Sequence, residues 1–136
     1  MGKRAHAITV DVSSPEQMDS LVRRVKSDFG ALDLFFNNAG TSTYGEACDL
    51  PFAEWDRVLR VNLMGVISGS LCAYRVMKEQ GSGRIINIGS GSVFTCDPLF
   101  GPYVTSKFGV VGFTRVLAIE VDCAGWADLL HDQWVG

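Results

Sequence analysis

The chain has 136 residues, of which 47% are hydrophobic and 20% are charged, and its formal net charge is -3 at pH 7. This length is one domain's worth of sequence, and the composition is typical of a globular protein with a packed core. No dense block of Lys and Arg is present, so neither nucleic acid nor an anionic membrane is expected as a partner.

The cysteines and the N-terminus indicate the compartment. Cys48, Cys72, Cys96 and Cys123 are widely spaced, with no CxxC pair and no Cys/His cluster of zinc-site spacing. We therefore expect no metal site and interpret the cysteines as free thiols in a reducing compartment. No apolar run has the length of a signal peptide or a membrane span. A cytoplasmic location is expected.

The first half of the chain predicts a strand, a helix and a second strand. Residues 5–12 are apolar and β-branched, which favours a strand. A helix is predicted over residues 15–29, because Ser14 can cap it ahead of Pro15 and apolar residues recur at spacings of three and four. Gly30 is well placed to end this helix. The run LDLFF at residues 32–36 then predicts a buried strand.

The second half continues the alternation. A long helix is predicted from about residue 55 to residue 80, with Asn62 on its apolar side, and IINI at residues 85–88 predicts a third strand. A last helix is predicted over residues 103–121. Such alternation is typical of a parallel α/β sheet with right-handed crossovers. Residues 122–136 show no strand pattern and are expected to form a divergent tail to the domain of residues 1–121.

Tyr103 and Lys107 are candidates for chemistry. They are four residues apart in a predicted helix, so their side chains lie on one face. A neighbouring ammonium group moves a tyrosine pKa down from about 10, toward the range useful for acid–base catalysis. The stripe continues through Val110, Leu117 and Val121, which places the pair on the core side. A tyrosine four residues before a lysine is also a common chance pattern at the start of an amphipathic helix.

Other polar positions have both a functional and a structural interpretation. Ser90 follows the third strand, at the edge where open α/β sheets bind ligands, or else it belongs to a flexible glycine-rich loop. Asn62, as a buried amide, needs a partner and is equally explained as a bridge between backbone groups. The amides of NNAG at residues 37–40 are also explained by a strand-end turn. Neither a GxGxxG fingerprint nor a P-loop occurs.

Five motifs, taken in their order and spacing, resemble the short-chain dehydrogenase/reductase family. They are DV at residues 11–12, NNAG at 37–40, the Asn of VNLMGV, the Ser of INIGS, and YVTSK at 103–107. The resemblance covers about residues 5–121. It implies a dinucleotide-binding domain of the Rossmann type, with a doubly wound parallel α/β sheet. It also implies NAD or NADP as cofactor, and hydride transfer to or from a carbonyl or alcohol substrate.

The resemblance implies a role for each matching residue. Tyr103 is expected to be the general acid–base, Lys107 to lower its pKa and bind the nicotinamide ribose, and Ser90 to hydrogen-bond the substrate oxygen. Asn62 is expected to hold a water that connects Lys107 to solvent. The residues expected to contact the cofactor are Asp11, Val12, Asn38, Ala39, Gly40, Tyr103 and Lys107.

The match is partial at both ends. In the family, the glycine-rich phosphate loop and the residue that selects NAD or NADP would precede Gly2, and residues 122–136 do not resemble the last strands. We therefore expect only strands three, four and five of the sheet, with strands one, two, six and seven absent. Strands one and two normally separate three from four, so the chain must leave a gap, pair strands three and four directly, or borrow a partner. Marginal stability and aggregation are expected.

Three functions follow from these patterns. The first is an NAD(P)-dependent oxidoreductase, and the second is a truncated, inactive fragment. The third is an interaction module in which the helices over residues 55–80 and 103–121 pair with another copy or with a full-length relative. The patterns indicate neither the substrate, nor the reaction direction, nor the choice between NAD and NADP.

Overall fold

The computed structural model describes residues 5–123. Its helices are α1 (Pro15–Phe29), α2 (Phe52–Leu59), α3 (Gly65–Gln80), α4 (Ser92–Thr95) and α5 (Gly101–Cys123), and its strands are β1 (Leu34–Asn37) and β2 (Arg84–Asn87). A π-helical turn, Arg60–Met64, joins α2 to α3. Most of the predicted tail, residues 124–136, lies outside the described residues.

The first helix begins and ends where its sequence predicts. The Ser14 hydroxyl accepts a hydrogen bond from the Gln17 N–H at 3.3 Å, and Pro15 occupies the first helical position. Gly30 ends the helix at a φ of 83°, a left-handed conformation that glycine adopts without steric cost. Its inner face buries Met18 and Val22, and α1 packs against α3.

The two strands are parallel and form one crossover unit. Leu34 lies opposite Arg84 and Asn37 lies opposite Asn87, with α3 in the connection and in contact with both strands. The side chain of Phe35 packs toward the core, whereas Leu34 and Phe36, on the opposite face, are 48% and 53% exposed. The core consists of buried residues from α1, α3, α5, β2 and the segment before β1: Val22, Leu32, Cys72, Ala73, Met77, Ile85, Leu117 and Val121.

The predicted strand over residues 5–12 is not formed, which corrects the sequence prediction. The sheet of the described chain contains β1 and β2 only. β-branched residues favour an extended backbone, but a strand also needs a neighbouring edge to satisfy its backbone groups. No such edge adjoins residues 5–12, because Val10 and Val12 face Phe36 and Ala39 across an apolar groove. The chain therefore leaves the gap rather than pairing its third and fourth strands directly.

The remaining elements agree with the predicted pattern, with shifted ends. The long helix begins at Phe52, three residues before its predicted start, and contains the π-helical turn around Asn62. Helix α5 begins at Gly101, and its inner stripe is buried as predicted, with Lys107 and Val110 at 6% and 2% exposed.

The described cysteines, Cys48, Cys72 and Cys96, are free thiols. Among the helices of residues 5–123, none combines the length and apolarity that crossing a membrane requires.

Candidate active site

A cleft of about 410 Å³ opens at the carboxyl ends of β1 and β2. Parallel α/β sheets bind ligands at this edge, because the loops that follow neighbouring strands diverge there. Three separate segments of the chain supply the walls: the loop after β1, the loop after β2, and the first turns of α5. The lining residues are Asn38, Gly40, Thr41, Ser42, Ile88, Gly89, Ser90, Tyr103 and Lys107.

Lys107 is the buried cation of this cleft. Its side chain is 6% exposed, and its Nζ donates a hydrogen bond of 2.8 Å to the Ile88 carbonyl oxygen. The same Nζ lies 5.7 Å from the centroid of the Tyr103 ring. Burial lowers the pKa of Lys107 below its ordinary value of 10.5, because desolvation disfavours the charged form. An ammonium group has three N–H donors, so this geometry leaves donors for a ligand hydroxyl.

A second Tyr–Lys pair shows that spacing alone does not create such a site. Tyr74 and Lys78 are also four residues apart on one helix, and the Lys78 Nζ lies 6.0 Å from the Tyr74 ring centroid. Lys78 is exposed, and neither residue lines the cleft. What distinguishes Tyr103 and Lys107 is their position at the carboxyl edge of the sheet.

Ser90 lies three residues beyond the end of β2 and faces the same cleft. Its Oγ accepts hydrogen bonds from the Ser92 backbone N–H at 3.2 Å and from the Ser92 hydroxyl at 2.9 Å. A hydroxyl oxygen can accept two hydrogen bonds and donate one. With both acceptor positions used, the Ser90 hydroxyl proton is left to donate to a ligand oxygen.

Asn62 lies behind the cleft wall rather than in it. The side chain is fully buried, and its Oδ1 accepts from the Thr41 N–H at 2.8 Å. Its Nδ2 donates to the Thr41 carbonyl oxygen at 2.8 Å and to the Ser106 hydroxyl at 3.1 Å. Both amide protons are therefore used in joining the loop after β1 to α5. The bridge between backbone groups, one of the two interpretations from sequence, describes this side chain.

Arg57 strengthens the same wall, and sequence reasoning missed it. Its guanidinium donates to the Thr41 hydroxyl at 2.7 Å and to the Ser42 carbonyl oxygen at 3.1 Å. Glu54 pairs with Arg57 at 2.8 Å, and that hydrogen bond holds the pKa of Glu54 below its ordinary value. The sequence carries no signal for this contact, because Arg57 and Thr41 are 16 residues apart in a loop-to-helix contact.

Three of the residues predicted to contact a cofactor lie outside the cleft. Val12 and Ala39 line the apolar groove, which meets the cleft at Asn38. Asp11 lines neither and closes the turn before α1, where its carboxylate accepts from the Ser13 N–H at 2.9 Å and the Ser13 hydroxyl at 2.7 Å. These hydrogen bonds hold the pKa of Asp11 below its ordinary value.

A buried polar network fixes the strands beneath the cleft. Asn37 Nδ2 donates to Ser70 Oγ at 3.0 Å and to Asn87 Oδ1 at 2.8 Å, and the Ser70 hydroxyl also donates to Asn87 Oδ1 at 3.0 Å. Asn87 Nδ2 donates to the Thr114 hydroxyl at 3.0 Å, which links β1, α3, β2 and α5. Among the side chains of residues 5–121, every buried nitrogen and oxygen has a partner. The only sequence signal for this network was an Asn within each apolar strand.

Comparison with known proteins identifies the family. The sequence model described as short chain dehydrogenase matches residues 1–125. The chain is 35% identical over 115 residues to D-beta-hydroxybutyrate dehydrogenase of Rhizobium meliloti, covering 85% of this chain and 45% of that protein. It is 34% identical over 125 residues to 3-oxoacyl-[acyl-carrier-protein] reductase FabG of Haemophilus influenzae, covering 92% and 52% respectively.

Comparison with solved structures supports the same family. A short-chain dehydrogenase from Streptomyces avermitilis superposes with a TM-score of 0.86 at 26% identity, covering 97% of this chain and 47% of that one. NAD+-bound xylitol dehydrogenase superposes with a TM-score of 0.84 at 30% identity, covering 93% and 48%. The chain thus spans about half the length of the curated relatives it matches. These findings confirm the predicted Rossmann-type α/β fold, present here in part, and the chain belongs to the short-chain dehydrogenase family.

Proposed function

We propose that this chain carries the proton-transfer centre of an NAD(P)-dependent oxidoreductase that acts on a small carbonyl or alcohol substrate in the cytoplasm. One observation carries the proposal: the buried Lys107 lies against Tyr103 in an open cleft that Ser90 also lines. The relatives are named as dehydrogenases and a reductase, and one structural neighbour is named as NAD+-bound, which supports the class of reaction and the kind of cofactor.

The side chains of the cleft fit a nicotinamide nucleotide. Lys107 offers N–H donors beside an open space, which suits the hydroxyls of a ribose. Asn38 and Gly40 line the same cleft, and we assign them contacts with the same molecule, while Asp11, Val12 and Ala39 would meet its distal part. The bound nicotinamide would give or accept the hydride.

The residues of the cleft would move and hold the proton. In reduction, the Tyr103 hydroxyl gives its proton to the carbonyl oxygen of the substrate, and in oxidation the phenolate takes the proton from the alcohol. The Lys107 ammonium lowers the energy of the phenolate, and the Ile88 carbonyl offsets part of the cost of burying that charge. The Ser90 hydroxyl donates to the substrate oxygen and orients it. Asn62 fastens the loop after β1 to α5, and any effect of it on proton exchange between Lys107 and solvent would act through that position, since its side-chain N–H groups are already used.

Replacement of the tyrosine tests this assignment. Cofactor turnover is followed with secondary alcohols that include D-3-hydroxybutyrate and xylitol, after NADH binding has been measured by fluorescence. Tyr103→Phe should abolish turnover and leave NADH binding largely intact, because it removes only the transferable proton. Tyr74→Phe is the matched control, since its lysine lies outside the cleft, and should retain turnover. Turnover retained by Tyr103→Phe would reject the assigned acid–base.

Self-association through the long helices is a second candidate function. The outer side of α5 presents Phe108, Val116 and Ile119, which are 49%, 55% and 65% exposed and are spaced to share one helix face with Gly112. An exposed apolar stripe of this kind favours helix-to-helix pairing between two copies. We expect a dimer in sedimentation equilibrium that Ile119→Lys weakens and Phe52→Lys, on an exposed side chain of α2, does not. A monomer at all concentrations would exclude this function.

A further inference from the structure

The loop between β1 and α2, residues 38–51, belongs to no helix or strand, yet its first part forms one wall of the cleft. Thr41 and Ser42 line the cleft from this loop. Backbone groups outside regular structure need hydrogen-bond partners from elsewhere. Asn62 bonds the N–H and C=O groups of Thr41, and Arg57 donates to its hydroxyl oxygen. Two side chains therefore hold this wall in place.

Arg57 is the exposed member of this pair and the one that reaches two loop residues. Its guanidinium donates to the Thr41 hydroxyl at 2.7 Å and to the Ser42 carbonyl oxygen at 3.1 Å. Glu54, one helical turn earlier, accepts from the same guanidinium at 2.8 Å. A guanidinium is planar and its N–H donors point in fixed directions, so a partner on one side fixes where the other donors point. Glu54 thus orients Arg57 toward the loop.

The contribution of Arg57 to the stability of the whole chain is expected to be small. The Arg57 and Glu54 side chains are 44% and 36% exposed, and exposed ion pairs contribute little to the free energy of unfolding. Without Arg57, however, the Thr41 hydroxyl and the Ser42 carbonyl would bond water, and the wall would sample other conformations. A ligand that meets a wall already ordered loses less free energy on binding, because it need not order the wall itself. The effect of Arg57 therefore falls on affinity.

We propose that Arg57 is a positioning residue, which holds Thr41 and Ser42 in the conformation of the cleft wall and so raises the affinity of the cleft for a nicotinamide nucleotide. The part that concerns the nucleotide rests on the proposed function. Arg57 is not among the residues that line the cleft, so it acts through the loop and takes no part in proton transfer.

The same helical segment offers a matched control. Arg60, three residues after Arg57, pairs with Asp56 at 2.6 Å, and its side chain is also exposed. Arg57→Met and Arg60→Met each remove one positive charge and one exposed ion pair, and methionine has a helix propensity similar to that of arginine. The two variants should unfold at similar urea concentrations. Only Arg57→Met should weaken binding, by at least about fivefold in fluorescence titrations of the 136-residue chain with NADH and NADPH.

A second substitution locates the effect at Thr41. Thr41→Val removes the hydroxyl that Arg57 bonds and keeps the branched shape of the side chain. Because that contact is then already lost, Arg57→Met should weaken binding less in the Thr41→Val background than in the parent. Equal fold-losses of affinity in the two backgrounds would show that Arg57 acts elsewhere and would overturn the proposal.

Amide hydrogen exchange in the free chain tests the positioning without a cofactor. The Thr41 N–H donates to Asn62 Oδ1 at 2.8 Å. It should exchange at least about tenfold faster in Arg57→Met than in the parent, because the loop opens more often. The Gly81 N–H, which donates to the Met77 carbonyl oxygen at the end of α3, should exchange at the same rate in both.

The two readouts separate this role of Arg57 from the proposed function. Binding of neither nucleotide by the parent chain would reject the proposed function, and the exchange of Thr41 then decides the positioning role. Faster exchange at Thr41 and not at Gly81 supports that role, and unchanged exchange at Thr41 overturns it. Where the parent binds, equal affinities of Arg57→Met and Arg60→Met overturn the proposal.

Discussion

The chain contains two tyrosines that precede a lysine by four residues, and only one of the two lysines is buried. Lys78 extends into solvent beside Tyr74, whereas Lys107 is buried at the carboxyl edge of the sheet with one backbone acceptor at 2.8 Å. Burying an ammonium group costs free energy that a surface lysine does not lose. A buried lysine in an open cleft is thus a stronger indication of a functional site than the four-residue Tyr–Lys spacing alone.

The lowered pKa of Lys107 predicts how stability depends on pH. The folded chain binds this proton less tightly than the unfolded chain, so the free energy of unfolding rises with pH between the folded pKa and the ordinary value of 10.5. Lys107→Met has no titratable group at this position, so its free energy of unfolding lacks this rise with pH. Urea unfolding at several alkaline pH values should therefore show that the variant's stability relative to the parent falls as pH rises. A difference that stays constant or grows with pH would contradict the assignment.

At the scale of elements, the buried network of Asn37, Ser70, Asn87 and Thr114 ties both strands to the helices on one side. Gly69 lies where α3 packs closely against this network. A side chain there would lie 2.5 Å from Asn37 Oδ1, and that oxygen cannot move freely because the Asn37 amide is held by two hydrogen bonds. The close approach of α3 to β1 therefore depends on glycine.

A pair of glycine variants tests this contact. Gly69→Ala should lower the free energy of unfolding by about 1–3 kcal/mol, because the added methyl overpacks a buried polar site. Gly112→Ala, on an exposed part of α5 with nothing within 4 Å of the added carbon, should raise it by about 0.5–1 kcal/mol through helix propensity. Both values come from urea unfolding at neutral pH. Equal effects of the two variants would show that α3 does not press on Asn37.

The elements that sequence predicted well are those whose signals are local. Ser14, Pro15 and Gly30 set the ends of α1 through contacts within a few residues, and the stripe of α5 follows from its own periodicity. Residues 5–12 show where local signals fail, since a strand needs a neighbour that the pattern does not contain. The π-helical turn and α4 were also not predicted, because neither leaves a periodic signature of its own.

The candidate site likewise contains residues that motifs predicted and contacts that no local signal predicted. Motif order brought together Asn38, Gly40, Ser90, Tyr103 and Lys107, which the structure places around one cleft. Contacts between distant loops and helices, such as Arg57 with Thr41, depend on how the segments pack and leave no mark in sequence. Nor did the sequence indicate that the Asn62 side chain would use both its amide protons on the cleft wall.

At the scale of the whole molecule, the open edge of β1 predicts marginal stability and aggregation. Within residues 5–123, no strand pairs with the outward backbone groups of Leu34 and Phe36, and both apolar side chains are half-exposed. A charge on such an edge opposes pairing between copies. Phe36→Lys should therefore slow the growth of light scattering with time in concentrated samples, while Phe52→Lys, which removes an equally apolar and more exposed side chain from α2, should not. A cooperative melt of the parent chain at high temperature would contradict the expectation of marginal stability.

If the cleft of Tyr103 and Lys107 holds a nicotinamide cofactor, as proposed, the purified chain should bind one. The most direct measurement is titration of the purified chain with NADH and with NADPH, following cofactor fluorescence. Saturable binding of at least one of them is predicted, weakened at least about tenfold by Lys107→Met, because the ribose loses its buried donor. Lys78→Met, from the exposed Tyr–Lys pair, should bind as the parent does. Absence of saturable binding, or equal binding by both lysine variants, would contradict the account.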